Sequence, residues 1–430
     1  MKIPAFSKFF AKFRKTIKTE LAHYRKLRPS ARALLVSSAI YECTQPLLFL
    51  FINVFIWRQT NSFILVGAYN LGYFLTIPLF FFVNGVLLRY TSFKRLFFWG
   101  LVGQGIVVAG VFVFPMNSFL PLLLFGCLQG LPIGLYWGTR NLITIDVTKD
   151  EERGYYAGLE AIAMTLAAVT VPILFGWFIF FSEFFHLFNL RQSYQILVAV
   201  VIGLLVWAGW VFQSVEIKNP VVKQLFVKKP TRLWWISRAM EVCRGFFDRM
   251  TQLLPPLMVL TLIGKEGVLG TIQSVLAMVT IVIMYFLARK MGVGHRLQVL
   301  GISTLLFTVV CLLLAFSFSI WTVLFFLVTQ ALCDHIAWVT YNPIQMRVIE
   351  EEESGDPGAN YAYVVDREFC LNVGRIIGIG AFFFFVVSFS QETALKFTPL
   401  VIAILQIFLF IFTALSLQEK RKRKTAIINA

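Results

Sequence analysis

Twelve apolar runs, each long enough to cross a bilayer as a helix, divide this chain almost from end to end: roughly residues 33–57, 62–88, 96–114, 119–145, 156–181, 193–215, 233–263, 267–288, 297–318, 320–346, 361–389 and 395–417. Lipid offers no partner to a bare peptide N–H or C=O, so runs of this length must be helical. The expected fold is therefore an all-α polytopic membrane protein with 12 transmembrane helices. With 58% hydrophobic and 14% charged residues, little is left for a water-soluble domain. The net charge of +17 raises the possibility of a nucleic-acid partner, but the basic residues sit in short clusters between the runs and at both ends. That distribution describes topology, and no nucleic acid is expected.

With the N-terminus inside, 29 of the 39 Lys and Arg fall in cytoplasmic segments and four, Arg58, Arg191, Lys265 and Lys396, in external loops. This bias places both termini in the cytoplasm of a multi-pass protein of the cell membrane. Residues 1–32 are too polar for a cleaved signal core, so the first run is expected to direct insertion. This segment reads equally as an amphipathic inner-leaflet helix (Phe6, Phe9, Phe13, Ile17) or as a disordered basic tail. The six cysteines lie within apolar runs and have no metal-ligand spacing, and no P-loop, HExxH or GxSxG motif occurs. No cofactor, no metal and no enzymatic chemistry are expected.

The chain also repeats itself. Gln129, Trp137, Thr139, Asn141, Ile143 and Val147 recur 201 residues later as Gln330, Trp338, Thr340, Asn342, Ile344 and Val348, and Ser37, Ala39 and Cys43 recur as Ser237, Ala239 and Cys243. An offset spanning six runs makes two parallel six-helix bundles. The division is a basic segment 1–32, a first bundle 33–215, a linker 216–232, a second bundle 233–417 and a basic tail 418–430.

This organisation, with its basic central linker, resembles the major facilitator superfamily of secondary transporters. The loop after the second run, from Gly85 and Leu87 to Lys94 and Arg95, is similar to that family's Gly-x-Leu-x-Asp loop, with Arg89 where the acid belongs. The loop from Arg289 to Arg296 is a partial second copy. Pro172 and Gly176 match part of the glycine-rich motif of the family's drug/proton antiporters. The resemblance implies a central cavity lined by runs one, four, seven and ten and flanked by five and eleven.

Ionisable groups inside spans are costly unless they are paired or face water, so each is a candidate site. They concentrate in those same runs. The seventh holds Arg238, Glu241, Arg244, Asp248 and Arg249; at helical spacing Arg238, Glu241, Gly245 and Asp248 share one face, which is expected to be wet. Glu42 lies in run one with no basic neighbour in its span, and is open to a proton, a cationic substrate or Arg244. Asp334 and His335 lie in run ten. Glu241, Asp248 and Asp334 are either titrating groups or permanent partners of Arg244, Arg249 or Arg375. Arg140, Asp146, Glu160, Asp366 and Glu368 are gate or secondary candidates, and Arg367, near a cytoplasmic end, is read as a gate salt bridge. Tyr41, Tyr136, Trp137, Trp338 and Tyr341 are candidate aromatic linings.

The expected function is secondary active, proton-coupled transport of a small organic solute by alternating access, leaning toward export. Its alternatives are uptake symport of a sugar, acid or nutrient, and a non-transporting receptor or scaffold on the same fold. The partners are a small-molecule substrate, the proton and the bilayer, and a monomer is expected.

Overall fold

The computed structural model describes residues 24–25, 27–114, 117–147, 150–215, 222, 224–290, 295–352 and 360–428. Most of the basic segment 1–32, residues 216–221 and 223 of the linker and residues 291–294 of the second-copy loop lie outside this set. Among the described residues the long helices are α1 (Pro29–Thr60), α2 (Phe63–Leu87), α3 (Phe93–Val113), α4 (Phe119–Val147), α5 (Asp150–Phe184), α6 (Leu190–Gln213), α7 (Arg232–Ile263), α8 (Glu266–Lys290), α9 (Arg296–Phe316), α10 (Ile320–Glu352), α11 (Asn360–Ser388) and α12 (Gln391–Ile428). Their boundaries follow from local chemistry. Ser62, Ser92, Asn189 and Thr231 each accept a backbone N–H of the first turn, and left-handed Asn61 and Gly264 end α1 and α7.

Two features of the helices bear on function. Midway along α1, regular geometry fails after Glu42, and the chain continues through a π-helical stretch, Pro46–Phe51, before Ile52–Thr60. Pro46 has no N–H to give to the preceding turn, and π-bulges are frequent at functional sites. α12 runs on to Ile428, so the tail expected at 418–430 continues a helix, tied by Lys420 to Glu351 and by Arg423 to Glu352 of α10.

Helix neighbours repeat with the order of the chain. α2 packs on α4, α3 on α4 and α6, and α1 on α5 and α6; six helices later α8 packs on α10, α9 on α10 and α12, and α7 on α11 and α12. The fold is thus two pseudo-symmetric six-helix bundles. They meet along α2–α11 and α5–α8, and the half of α1 beyond the break also touches α7. Pro172 and Gly176 find their place here: a side chain at Gly176 would collide with the Glu266 carbonyl, and one at Gly270 with that of Pro172, so α5 and α8 cross backbone to backbone.

Among the described residues, eleven helices contain an apolar window of spanning length with two charges or fewer; α7 does not. It is held instead by α11. A Cβ on Gly245 would lie 1.9 Å from the Leu371 carbonyl oxygen, and one on Gly374 2.0 Å from that of Val242. This close approach sets the register of the ion pairs between the two helices. Gly245→Ala should cost about 1–3 kcal/mol as overpacking, read as a lowered unfolding midpoint in detergent. An unchanged midpoint would mean that the crossing relaxes freely.

Candidate functional site

The start of α1 and the end of α12 fall on one face of the molecule, since twelve helices alternate in direction; this is called the terminus-bearing face, and depth is described from it. α7, α10 and α11 bring nine charged side chains of the second bundle together in a row of ion pairs that runs from the first turns of α7 and α11 to their middle. Arg238 grips Asp366 with two hydrogen bonds, Nε–Oδ2 2.7 Å and Nη2–Oδ1 2.8 Å, and the Trp234 indole donates to the same carboxylate. One turn on, Glu241 accepts from Arg367 Nε at 2.5 Å and from Gln345 at 2.8 Å. Arg244 crosses to Asp334 on α10 at 2.6 Å. Two turns beyond Glu241, Asp248 takes Arg375 at 2.8 Å, and Arg375 also reaches Glu368 at 3.3 Å. Charge at this depth must be paired and hydrogen-bonded, and these groups are.

Two expectations change here. The shared face of Arg238, Glu241, Gly245 and Asp248 is not uniformly wet: Glu241 is 1% exposed and Gly245 lies against α11, because the glycine crossing brings the backbones together over this face. Arg367 forms a salt bridge about two turns from the start of α11, with Glu241 as its partner. Arg244 is committed to Asp334, so it does not reach Glu42.

Other candidates separate from the network. His335 is exposed on the side of α10 that carries Trp321 and Phe325, and its Nδ1 lies 2.8 Å from the Ala331 carbonyl of its own helix. It shares nothing with Asp334 beyond adjacency in the chain. Tyr41, Tyr136 and Tyr341 are fully buried, so they pack between helices instead of lining a cavity; Tyr41 donates to Gln104 at 3.2 Å. Trp137 is half-buried, with the Arg140 guanidinium 4.8 Å from its ring centre. The side chains of Asp146 and Trp338 lie outside the described residues.

In the first bundle, Arg140 of α4 pairs with Glu160 of α5. Glu42, at the break in α1, is half-buried and has no hydrogen bond or ion pair among the described residues; the charges acting on it are Arg140 and Glu160. Exposure is divided unevenly within the ion pairs: Asp334 shows 34% of its side chain against 7% for Arg244, whereas Arg367 shows 19% against 1% for Glu241.

Cross-bundle contacts define how the site is enclosed. Away from the termini, Arg58 of α1 pairs with Glu266 of α8 and Glu183 of α5, and Gln391 donates to the Asn61 carbonyl. Toward the termini, Tyr361 of α11 donates to the Phe81 carbonyl at 2.8 Å and accepts from Asn84 of α2, with Gly85 against its ring. α4 and α10 make no extended contact among the described residues.

Several participants were not singled out from sequence: Asn53, Asn70, Asn84, Tyr361 and Gln345. The available signal was an amide or phenol within or at the edge of an apolar run, where its polar atoms must find partners on another helix.

The sequence and the fold match known proteins. Over residues 34–355 the sequence fits the family model described as Major Facilitator Superfamily. A relative from Bacillus subtilis, an uncharacterized protein named YqgE, is 24% identical over 382 residues, covering 87% of this chain and 86% of its own. Among solved structures, the E. coli fucose:proton symporter superposes with a TM-score of 0.55 at 12% identity, over 90% of this chain and 97% of that one. A bacterial homologue of the iron transporter ferroportin, in an outward-facing state, gives 0.60 at 14% identity, over 90% and 98%. Sequence and architecture agree that the chain belongs to the Major Facilitator Superfamily.

Proposed function

We propose that this secondary transporter exchanges protons for a small cationic organic solute, exporting the solute from the cytoplasm. The observation that carries the reading is Glu42: a half-buried carboxylate without a partner among the described residues, beside a break in the middle of α1. A carboxylate in a low-dielectric site neutralises its charge by taking a proton or by binding a cation. If both compete for Glu42, each turnover must carry one or the other, and exchange becomes obligatory. The half-buried Trp137 face beside Arg140 supplies an aromatic surface for the apolar body of the solute. Interrupted helices near the midplane are a recurrent place for such sites.

In this reading residues 33–215 and 233–417 rock about the site, the linker 216–232 joins them, and the terminus-bearing face is cytoplasmic. α4 and α10, which make no extended contact among the described residues, then flank the path of the solute, and one chain suffices for transport. The test is thermal stabilisation of the detergent-purified protein at two pH values, across organic cations, acids and sugars, followed by flux in liposomes. A ligand that binds only the folded state raises apparent stability with the logarithm of its excess. Stabilisation by cations, stronger at the higher pH, and uphill flux driven by a proton gradient are expected. Stabilisation confined to acids or sugars would overturn the substrate class.

A further inference from the structure

Arg249 stands apart from the other charges of α7. It is 2% exposed, yet it holds no carboxylate among the described residues. Its neighbour Asp248 is already taken by Arg375. The guanidinium instead leaves its own bundle: Nη2 donates to the amide oxygen of Asn70 on α2, Nη1 donates to Gln252 at 3.0 Å, and the group sits 4.7 Å from the centre of the Phe74 ring. Asn70 is aimed for this role by Asn53 of α1, whose Oδ1 accepts its amide at 2.8 Å, and by the Val66 carbonyl at 2.7 Å. A permanent cation has been buried on two neutral amide oxygens, one of the opposite bundle and one of its own helix, while two carboxylates of its own bundle, Asp248 and Glu368, share the guanidinium of Arg375.

α2 carries a second asparagine of this kind. Asn84, about 21 Å nearer the termini along the helix, joins Thr139 of its own bundle to Tyr361 of the other. One clasp is charged and the other neutral. Both are engaged in this structure.

We propose that Arg249 is a positioning residue for transport: its attachment to Asn70 holds the face away from the termini closed, and Asn84–Tyr361 holds the terminus-bearing face. The Asp248–Glu368–Arg375 cluster carries the negative charge that receives Arg249 when it lets go. A buried guanidinium on amide oxygens gives up little by moving to carboxylates, because it keeps charge-assisted hydrogen bonds and gains an opposite charge. Release is therefore reversible, and the carboxylates facing Arg249 set its cost. The proposal rests on the alternating-access reading but not on the identity of the solute or the coupling ion.

Electron spin distance measurements test it, in a chain whose six cysteines are replaced by alanine. One label pair spans the face away from the termini, at Leu187→Cys and Phe389→Cys, and one spans the terminus-bearing face, at Tyr90→Cys and Arg347→Cys; all four positions are exposed. Arg249→Met and Asn70→Leu should each raise the ratio of separated to closed molecules at the first pair about tenfold, the change expected for losing one charge-assisted hydrogen bond. The double variant should add nothing, since the two residues form one contact. Tyr361→Phe should lengthen the second pair and leave the first closed. Asn70→Asp gives Arg249 a carboxylate and should suppress opening at the first pair; it keeps the test alive if Arg249→Met fails to fold. Unchanged distances in folded Asn70→Leu and Asn70→Asp, or equal loosening of both faces in every variant, would overturn the proposal. Solute exchange is not needed for any of these readings, so failure here is separable from failure of the cation–proton reading.

Discussion

Arg367→Met should destabilise the folded protein by about 3–5 kcal/mol, while the double replacement with Glu241→Gln should recover most of that loss. Glu241 is 1% exposed, and Arg367 is the positive charge in contact with it. Gln345 donates one further hydrogen bond but carries no charge. Removing the guanidinium leaves a carboxylate in a dry α7–α11 interface that the Gly245 and Gly374 crossing prevents from opening to water. Replacing the carboxylate by an amide removes the charge that needs compensation. Equilibrium unfolding in mixed micelles, followed by tryptophan emission, measures both variants. Equal losses in the single and the double variants would show that the pair contributes packing and no charge compensation.

Glu42→Gln should abolish proton exchange and weaken binding of a cationic solute between about ten- and a hundredfold. The amide keeps the volume and hydrogen-bonding reach of the carboxylate but neither takes up a proton nor carries charge. Because Glu42 has no partner among the described residues, no buried cation is orphaned by its neutralisation, and the fold should be retained. Binding in weakly buffered detergent solution reports the coupling directly: the parent protein should release a proton for each cation bound at the pH where Glu42 is protonated in the free state. Glu42→Gln should release none. Proton release that persists in Glu42→Gln would move the coupling site to the Asp248–Glu368 cluster or to Asp334.

The spans, the two-bundle repeat and the concentration of charge in α1, α4, α5, α7, α10 and α11 were legible because lipid enforces them: length, apolarity and buried charge all leave marks on sequence. Partner choice was not legible. Asp248 and Asp334 found arginines among those named for them, but Glu241 found Arg367, since the rotation and separation of α7 and α11 are set by which glycines meet. His335 beside Asp334 suggested a shared role, yet consecutive helical positions point about 100° apart, and one faces the network while the other faces outward. The tyrosines expected to line a cavity are consumed by packing, because aromatic rings satisfy an interior as well as a binding wall. The break after Glu42 had one local signal, Pro46. Its consequence, a partnerless carboxylate, depends on where α4 and α5 place Arg140 and Glu160.

The most direct test of alternating access at Glu42 is two-sided labelling of Glu42→Cys, in a chain whose six native cysteines are replaced by alanine, with a membrane-impermeant thiol reagent on right-side-out and inside-out vesicles. Labelling is expected from the terminus-bearing side once Tyr361→Phe has released Asn84, and from the other side once Asn70→Leu has released Arg249. Labelling from neither side, or from the same single side in both backgrounds, would contradict a site that is exposed alternately to the two faces of the membrane.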